Sequence, residues 1–286
     1  MTVLPLIAYA APDSYYESIR ETVPNATPCG VILCNRMAYS HVQFVIALTG
    51  EKAAGKGEVA CMLADIGGFS VFRFSDPIRV AHVLSHRNPE AEPTPEALAE
   101  ETAQFIQKSL ERGRKASELF TAEEYAASLG IPAPQTVNLQ DMGNRWRARF
   151  GSGVFTDVLL RASALLGARR VIIDGFRNPG ELSPLEQHLA KRWIAAGVVA
   201  DIAVRQERFL EKRRRVGDPV REEDFLKLDR RDKGEGEPPD GQQVAQCLAR
   251  ISPSDVVENN LSTSDLETRV AAWYHARIKP HLSNNI

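Results

Sequence analysis

Cysteine is scarce in this chain: Cys29, Cys34, Cys61 and Cys247 are the four among 286 residues. They form no C-x-x-C pair and no Cys/His ladder with zinc spacing, which argues against a disulfide framework or a structural zinc module. Reduced thiols in a cytoplasmic protein are the expected state. No apolar run approaches the ~20 residues of a spanning helix, and the stretch from Leu4 to Ala11 lacks the basic flank of a signal peptide, so no membrane partner is expected. Charge of one sign is also missing. The 35 basic and 37 acidic residues leave a formal net charge of -2, without the basic excess of a dedicated nucleic-acid binder. The H-x-E and P-C-x-x-C elements of a zinc deaminase are absent, which removes base deamination. No repeat of fixed period is visible. The 43% hydrophobic and 25% charged fractions are globular values that exclude wholesale disorder.

What remains is a chain long enough for one large α/β domain or two small ones. Residues 1–43 lack clean periodicity and carry a turn-rich Pro24-Asn25-Ala26-Thr27-Pro28 segment, so they read as an N-terminal extension, with Met37 as an alternative start shortly before the first strong strand, or else as an ordered N-terminal hairpin. From residue 44 apolar runs alternate with helical patterns. Strands are expected at 44–49 (FVIALT), 70–74, 170–174 (RVIID), 198–204 and 255–258. Helices are expected at 56–66, 77–87, 95–112, from about 179 and at 263–278, with two or three more in 116–166. Continuous apolar strands separated by helices imply a parallel sheet covered on both faces.

The sharpest signal is Gly50-Glu51-Lys52-Ala53-Ala54-Gly55-Lys56-Gly57, a G-x-x-x-x-G-K run between the first strand and the first helix. Glycines in such a loop let successive backbone N–H groups converge on phosphate oxygens, the helix start adds positive potential, and the lysine supplies a point charge. Gly50, Ala53, Ala54, Gly55, Lys56, Gly57 and Glu58 are therefore the expected nucleotide-binding set. Gly57 stands where most such loops carry a Ser or Thr that touches magnesium.

With G-K-G in place, the chain from about residue 44 to 278 resembles the nucleotide-kinase branch of P-loop proteins, in particular deoxynucleoside monophosphate kinases and dephospho-CoA kinases. The resemblance continues through Phe74-Ser75-Asp76-Pro77-Ile78-Arg79, through Leu139-Gln140-Asp141-Met142-Gly143-Asn144 with Arg145, and through Ile173-Asp174-Gly175-Phe176-Arg177. It ends in Asp229-Arg230-Arg231-Asp232 with Gly241-Gln242 and Asn259-Asn260. It implies a three-layer P-loop fold with a five-stranded parallel sheet, a helical acceptor insert at 88–153 and a lid-like region at 205–241. ATP with Mg2+ would be the donor and a small phosphate-bearing molecule the acceptor. A nucleotide-binding switch without an acceptor and a dephospho-CoA kinase-like activity are the alternatives, and a homodimer is as open as a monomer.

Individual residues carry competing readings. Asp76, after a strand, would orient or deprotonate an acceptor hydroxyl, or simply cap a helix starting at Pro77; Arg79 would lie on the acceptor. Asp174 fits the carboxylate that organises magnesium. Arg177 would clamp phosphate bidentately, while Asn178, Pro179 and Glu181 read as a helix-capping box. Residues 201–240 hold 11 basic and 12 acidic side chains, mostly a solvated face. Within them Arg205 and Arg208, expected just after a strand, are the candidate lid arginines. Arg145 and Arg147 would grip the acceptor or lie on the surface. His82 and His86 share a helical face but lack the Glu and third ligand of a metal site.

Overall fold

A computed structural model describes residues 39–88, 93–112, 122–128, 130–131, 136–216 and 221–283. Five strands form one all-parallel sheet: β1 (Phe44–Gly50), β2 (Ser70–Arg73), β3 (Arg170–Asp174), β4 (Trp193–Val199) and β5 (Val256–Glu258), in the order β2-β3-β1-β4-β5. Every residue of β1 is buried, as its continuous apolar run demands of a central strand. Its side chains alternate between faces. Val45 and Ala47 join one core with Phe72, Val171 and Ile173. Phe44, Ile46 and Leu48 join a second core with Ile172 on the opposite face.

Helices cover both faces, giving a three-layer α/β architecture. The second core is closed by α1 (Lys56–Gly67), α11 (Thr263–Trp273) and α12 (Lys279–Ser283), the last two joined by a π-helical turn at Tyr274–Ile278. The first core is closed by α2 (Ser75–Arg87), α3 (Pro95–Arg112), α4 (Ala122–Ser128), α5 (Thr136–Phe150), α6 (Val154–Leu165), α7 (Ser183–Leu189) and α10 (Val244–Ala249). Two more helices, α8 (Ile202–Val216) and α9 (Glu222–Lys233), lie against the carboxyl edge of the sheet, and their rings Phe209 and Phe225 pack at 5.3 Å. Among the described residues no helix is long and apolar enough to cross a membrane.

Three expectations need correction. The strand expected at 198–204 lies earlier, at Trp193–Val199, and helix α8 begins at Ile202. The whole run from Trp193 to Val198 pairs with β1, which places the small Ala195, Ala196 and Gly197 opposite Ala47, Leu48 and Thr49. The helix expected from Pro77 starts at Ser75, which puts Asp76 inside its first turn; the capping position is Phe74, without a side-chain cap. The boundary drawn after residue 43 is late, because Tyr39 and Val42 are each 1% exposed in the first core and Tyr39 donates to Asp157 at 2.6 Å. Of the extension assigned to residues 1–43, residues 1–38 lie outside the described residues.

Candidate active site at the carboxyl edge of the sheet

The chain leaves central strand β1 for edge strand β2, returns to β3 on the near side of β1, and then crosses to β4 on the far side. Such a reversal opens a crevice beyond the strand ends, where open α/β sheets take their ligands. At this point β1 ends in the 50–57 loop and β3 ends at Asp174, whose register partner is Leu48. The two strand ends are tied by Gly175 N–H to Leu48 O at 2.9 Å and Thr49 Oγ1 to Phe176 O at 2.8 Å.

Sterics dictate two of the loop glycines. A Cβ on Gly50 would meet Val198 O at 2.2 Å, and one on Gly55, at φ +91°, would meet Asn259 Nδ2 at 2.3 Å. Ala53 is also left-handed, at φ 61°, a conformation costing on the order of 1 kcal/mol for a residue with a Cβ and concentrated at functional sites. Gly55 offers no side-chain cap to α1, which leaves the first amides of that helix, at Lys56 and Gly57, without a side-chain acceptor from the cap. Ala54 N–H bonds internally to Glu51 O at 3.2 Å. Lys56 folds back across the loop, its Nζ donating to Gly50 O at 2.9 Å and Glu51 O at 3.4 Å. Burial lowers its pKa to about 8, against the pull of Asp174.

Gly57 differs from Gly50 and Gly55. It is exposed, and an added Cβ would meet nothing within 4 Å. Gly57→Ala is therefore expected to raise stability by about 0.5 kcal/mol through the reduced entropy of the unfolded chain, read as a higher urea midpoint. A lower midpoint would reveal a backbone conformation that alanine cannot share.

Two carboxylates sit beside each other at the strand ends. Arg73 and Asp174 are paired residues of β2 and β3, and Phe74 N–H bonds to Asp174 O at 3.0 Å. Asp174 Oδ1 is buried without a hydrogen-bond partner. Burial raises its pKa against the opposing pull of Lys56, Arg73 and Arg177. Asp76, 6% exposed, is likewise pushed up by burial and held down by Arg73 and Arg79. The nearest Arg79 nitrogen is 3.9 Å away, and Arg79 Nε is buried without a partner. Buried polar atoms without a hydrogen-bond partner call for an explanation, and the oxygens of a ligand or of water would supply one here.

The cations are committed to partners. Arg177 Nη1 donates to Asp232 Oδ1 at 2.9 Å and Gln242 Oε1 at 3.0 Å, and Lys52 Nζ reaches Asp232 Oδ2 at 3.3 Å. Arg205 is 2% exposed, not a free lid residue. It donates to Ala200 O at 2.9 Å and pairs with Glu51 at 3.2 Å and with Asp229. Arg208 donates to Asn259 O at 2.9 Å, and Asn259 Nδ2 in turn to Ala54 O at 2.9 Å, a bridge onto the loop. Both arginines sit inside α8, as the earlier end of β4 at Val199 requires. Glu51 enters the sequence reading only as a position of the glycine loop, and Asp229 and Asp232 only within the Asp229-Arg230-Arg231-Asp232 segment; nothing in their spacing marks them as partners of these cations.

Other candidates resolve structurally. Asn178 and Glu181 form the expected capping box. Arg147 is no acceptor grip: it is 5% exposed and bonds Glu181 Oε1 at 2.9 Å. Arg145 is exposed on α5, outside this crevice's hydrogen-bond network. The His82 and His86 rings lie 4.2 Å apart, tilted by 50°, and among the described residues no group of three or more His, Cys, Asp or Glu could hold a metal ion. A magnesium site would therefore rest on Asp174, water and the ligand's own oxygens. The lone buried Oδ1 suits that role, and Gly57 adds no hydroxyl.

Comparison with protein-family models and with curated proteins yields no match. Among solved structures, a protein from Thermus thermophilus aligns at 19% identity over 82% of this chain and 97% of its own, with a TM-score of 0.39. An uncharacterized protein from Eubacterium ventriosum aligns at 13% identity over 82% of this chain and 99% of its own, with a TM-score of 0.38.

Proposed function

We propose that the chain is an ATP-dependent phosphotransferase of the P-loop kinase class, acting on a nucleotide or nucleotide-like small molecule. The observation that carries this reading is the arrangement of Lys56, folded over the glycine loop at the β1/β3 crevice, near Asp174, whose Oδ1 is buried without a hydrogen-bond partner. Lys56 and the first amides of α1 would bind the donor phosphates, and the Lys56 charge would follow the negative charge that develops on the transferring group. Mg2+ held near Asp174 would supply charge neutralisation on the donor phosphates. Asp76 would take the proton of the acceptor hydroxyl, and Arg79 would bind the acceptor phosphate. Measuring ADP release from ATP against a panel of deoxynucleoside monophosphates, ribonucleoside monophosphates and dephospho-CoA tests the reading. Acceptor-dependent turnover supports it, and ATP hydrolysis indifferent to every acceptor would point to a switch instead.

Asp76→Asn separates catalysis from folding. The carboxyl is raised by burial, so wild-type stability falls as pH rises through the raised value, and the neutral amide removes that loss. Melting temperature at pH 7 is expected to hold or rise. Turnover is expected to drop at least ~10-fold, since an amide accepts no proton, while ATP binding survives. A normal rate for Asp76→Asn would remove Asp76 from the acceptor chemistry.

A further inference from the structure

Asp232 lies between two cations that come from different parts of the crevice. One oxygen takes Arg177 from the loop after β3 at 2.9 Å, and the other takes Lys52 from the 50–57 loop at 3.3 Å. Its carboxylate is only 5% exposed, whereas Lys52 and Arg177 keep 20% and 37% of their side-chain surface open. The carboxylate thus offers two acceptor oxygens to two converging donors, as a phosphate would. Asp232 belongs to α9, and α9 has a separate attachment: Lys233 bridges Glu51 at 3.0 Å and Asp229 at 3.1 Å. Losing the Asp232 contacts therefore leaves the helix anchored.

We infer that Asp232 is a built-in anion, occupying the Lys52/Arg177 pair that receives a phosphate group of the nucleotide, so that nucleotide binding must displace it. This rests on the phosphotransferase reading and adds a regulatory residue to the same crevice. While the carboxylate is in place, it offsets one of the two positive charges of Lys52 and Arg177, and α9 is latched over the loop. An incoming polyphosphate takes both cations and frees the Asp232 side of the latch. The wild-type chain accordingly binds nucleotide more weakly than its cations alone would allow, and it gains discrimination against ligands with too little charge to compete.

The test is calorimetric titration of the full chain with ATP and Mg2+ at ~0.05 M and ~0.5 M salt. Asp232→Asn, isosteric and neutral, is expected to bind ATP on the order of tenfold tighter at the lower salt, with the gain shrinking at the higher one. Asp232→Ser, too short to reach both cations, is the second variant and is expected to tighten binding as well. In a Lys52→Gln background the gain is expected to shrink, since one of the released cations is gone. Hydrogen exchange without nucleotide is expected to be faster in residues 222–241 of Asp232→Asn than of wild type. ATP binding equal to or weaker than wild type in both Asp232 variants overturns the inference and makes Asp232 a supporting part of the cradle. A wild-type chain that binds no ATP overturns the phosphotransferase reading first, and the wild-type titration alone tells the two failures apart.

Discussion

Lys56→Met is expected to leave the chain folded and to slow phosphoryl transfer by a factor of at least ~100, because a point charge on the transferring phosphate stabilises the transition state by several kcal/mol. The stability readout runs in the opposite direction. Burial lowers Lys56 to about 8, so between that pH and the ordinary lysine value the unfolded chain binds more protons than the folded one, and wild-type stability rises with pH across the window. Methionine keeps the aliphatic stem and removes the charge, so the variant should match or exceed wild-type stability at pH 7 and show no such rise. Nucleotide affinity of the wild type should fall as pH climbs past about 8, where Lys56 loses its proton. Near-normal turnover by a folded Lys56→Met would remove the 50–57 loop from the chemistry. A pH-independent stability difference would mean that the lysine charge is not buried.

The parts of this fold legible in the sequence are those where burial is continuous. β1 and β3, as FVIALT and RVIID, sit where their apolar runs place them, because central strands of a parallel sheet are covered on both sides. β4 was misread for the same physical reason in reverse. Its Ala195, Ala196 and Gly197 are small because the sheet is tightly covered there; a Cβ on Gly197 would meet Leu248 Cδ2 at 2.9 Å. Ile202, which looked like strand core, is 50% exposed on α8. In the crevice, the glycine loop and Asp174 were legible because strand–loop–helix context is local. The partners of the arginines were not. Arg177 meets Asp232 across 55 positions and Arg147 meets Glu181 across 34, and only the docking of α9 at the sheet edge and of α5 beside α2 and α6 decides which of many carboxylates each guanidinium finds.

That last pair carries the largest expected effect on stability. Glu181 has a fully buried side chain, and Arg147 opposite it is 5% exposed. One Glu181 oxygen accepts from Arg147 Nε at 2.9 Å; the other accepts from the backbone amides of Arg177 at 2.6 Å and Asn178 at 3.0 Å. A single carboxylate therefore joins helix α5 of the insert to the loop that presents Arg177. Glu181→Ala removes three hydrogen bonds and leaves the Arg147 guanidinium buried against Phe155, with Asn144 Oδ1 at 3.0 Å as its remaining hydrogen-bond acceptor. Breaking such a pair from one side costs about 3–5 kcal/mol, a large share of the ~5–15 kcal/mol that holds a domain together. Urea unfolding should register it as a lower midpoint at unchanged slope, while Arg145→Ala on the exposed side of the same helix stays within ~0.5 kcal/mol. Replacing both partners, as Arg147→Met with Glu181→Leu, should recover much of the loss, since it removes the stranded charge that dominates it. The double variant should still transfer phosphate poorly, because the amides that set the Arg177 loop stay unpaired. If Glu181→Ala costs under about 1 kcal/mol, water reaches Arg147 and the pair is no buried anchor. If the double variant regains full activity as well as stability, the loop geometry does not depend on Glu181.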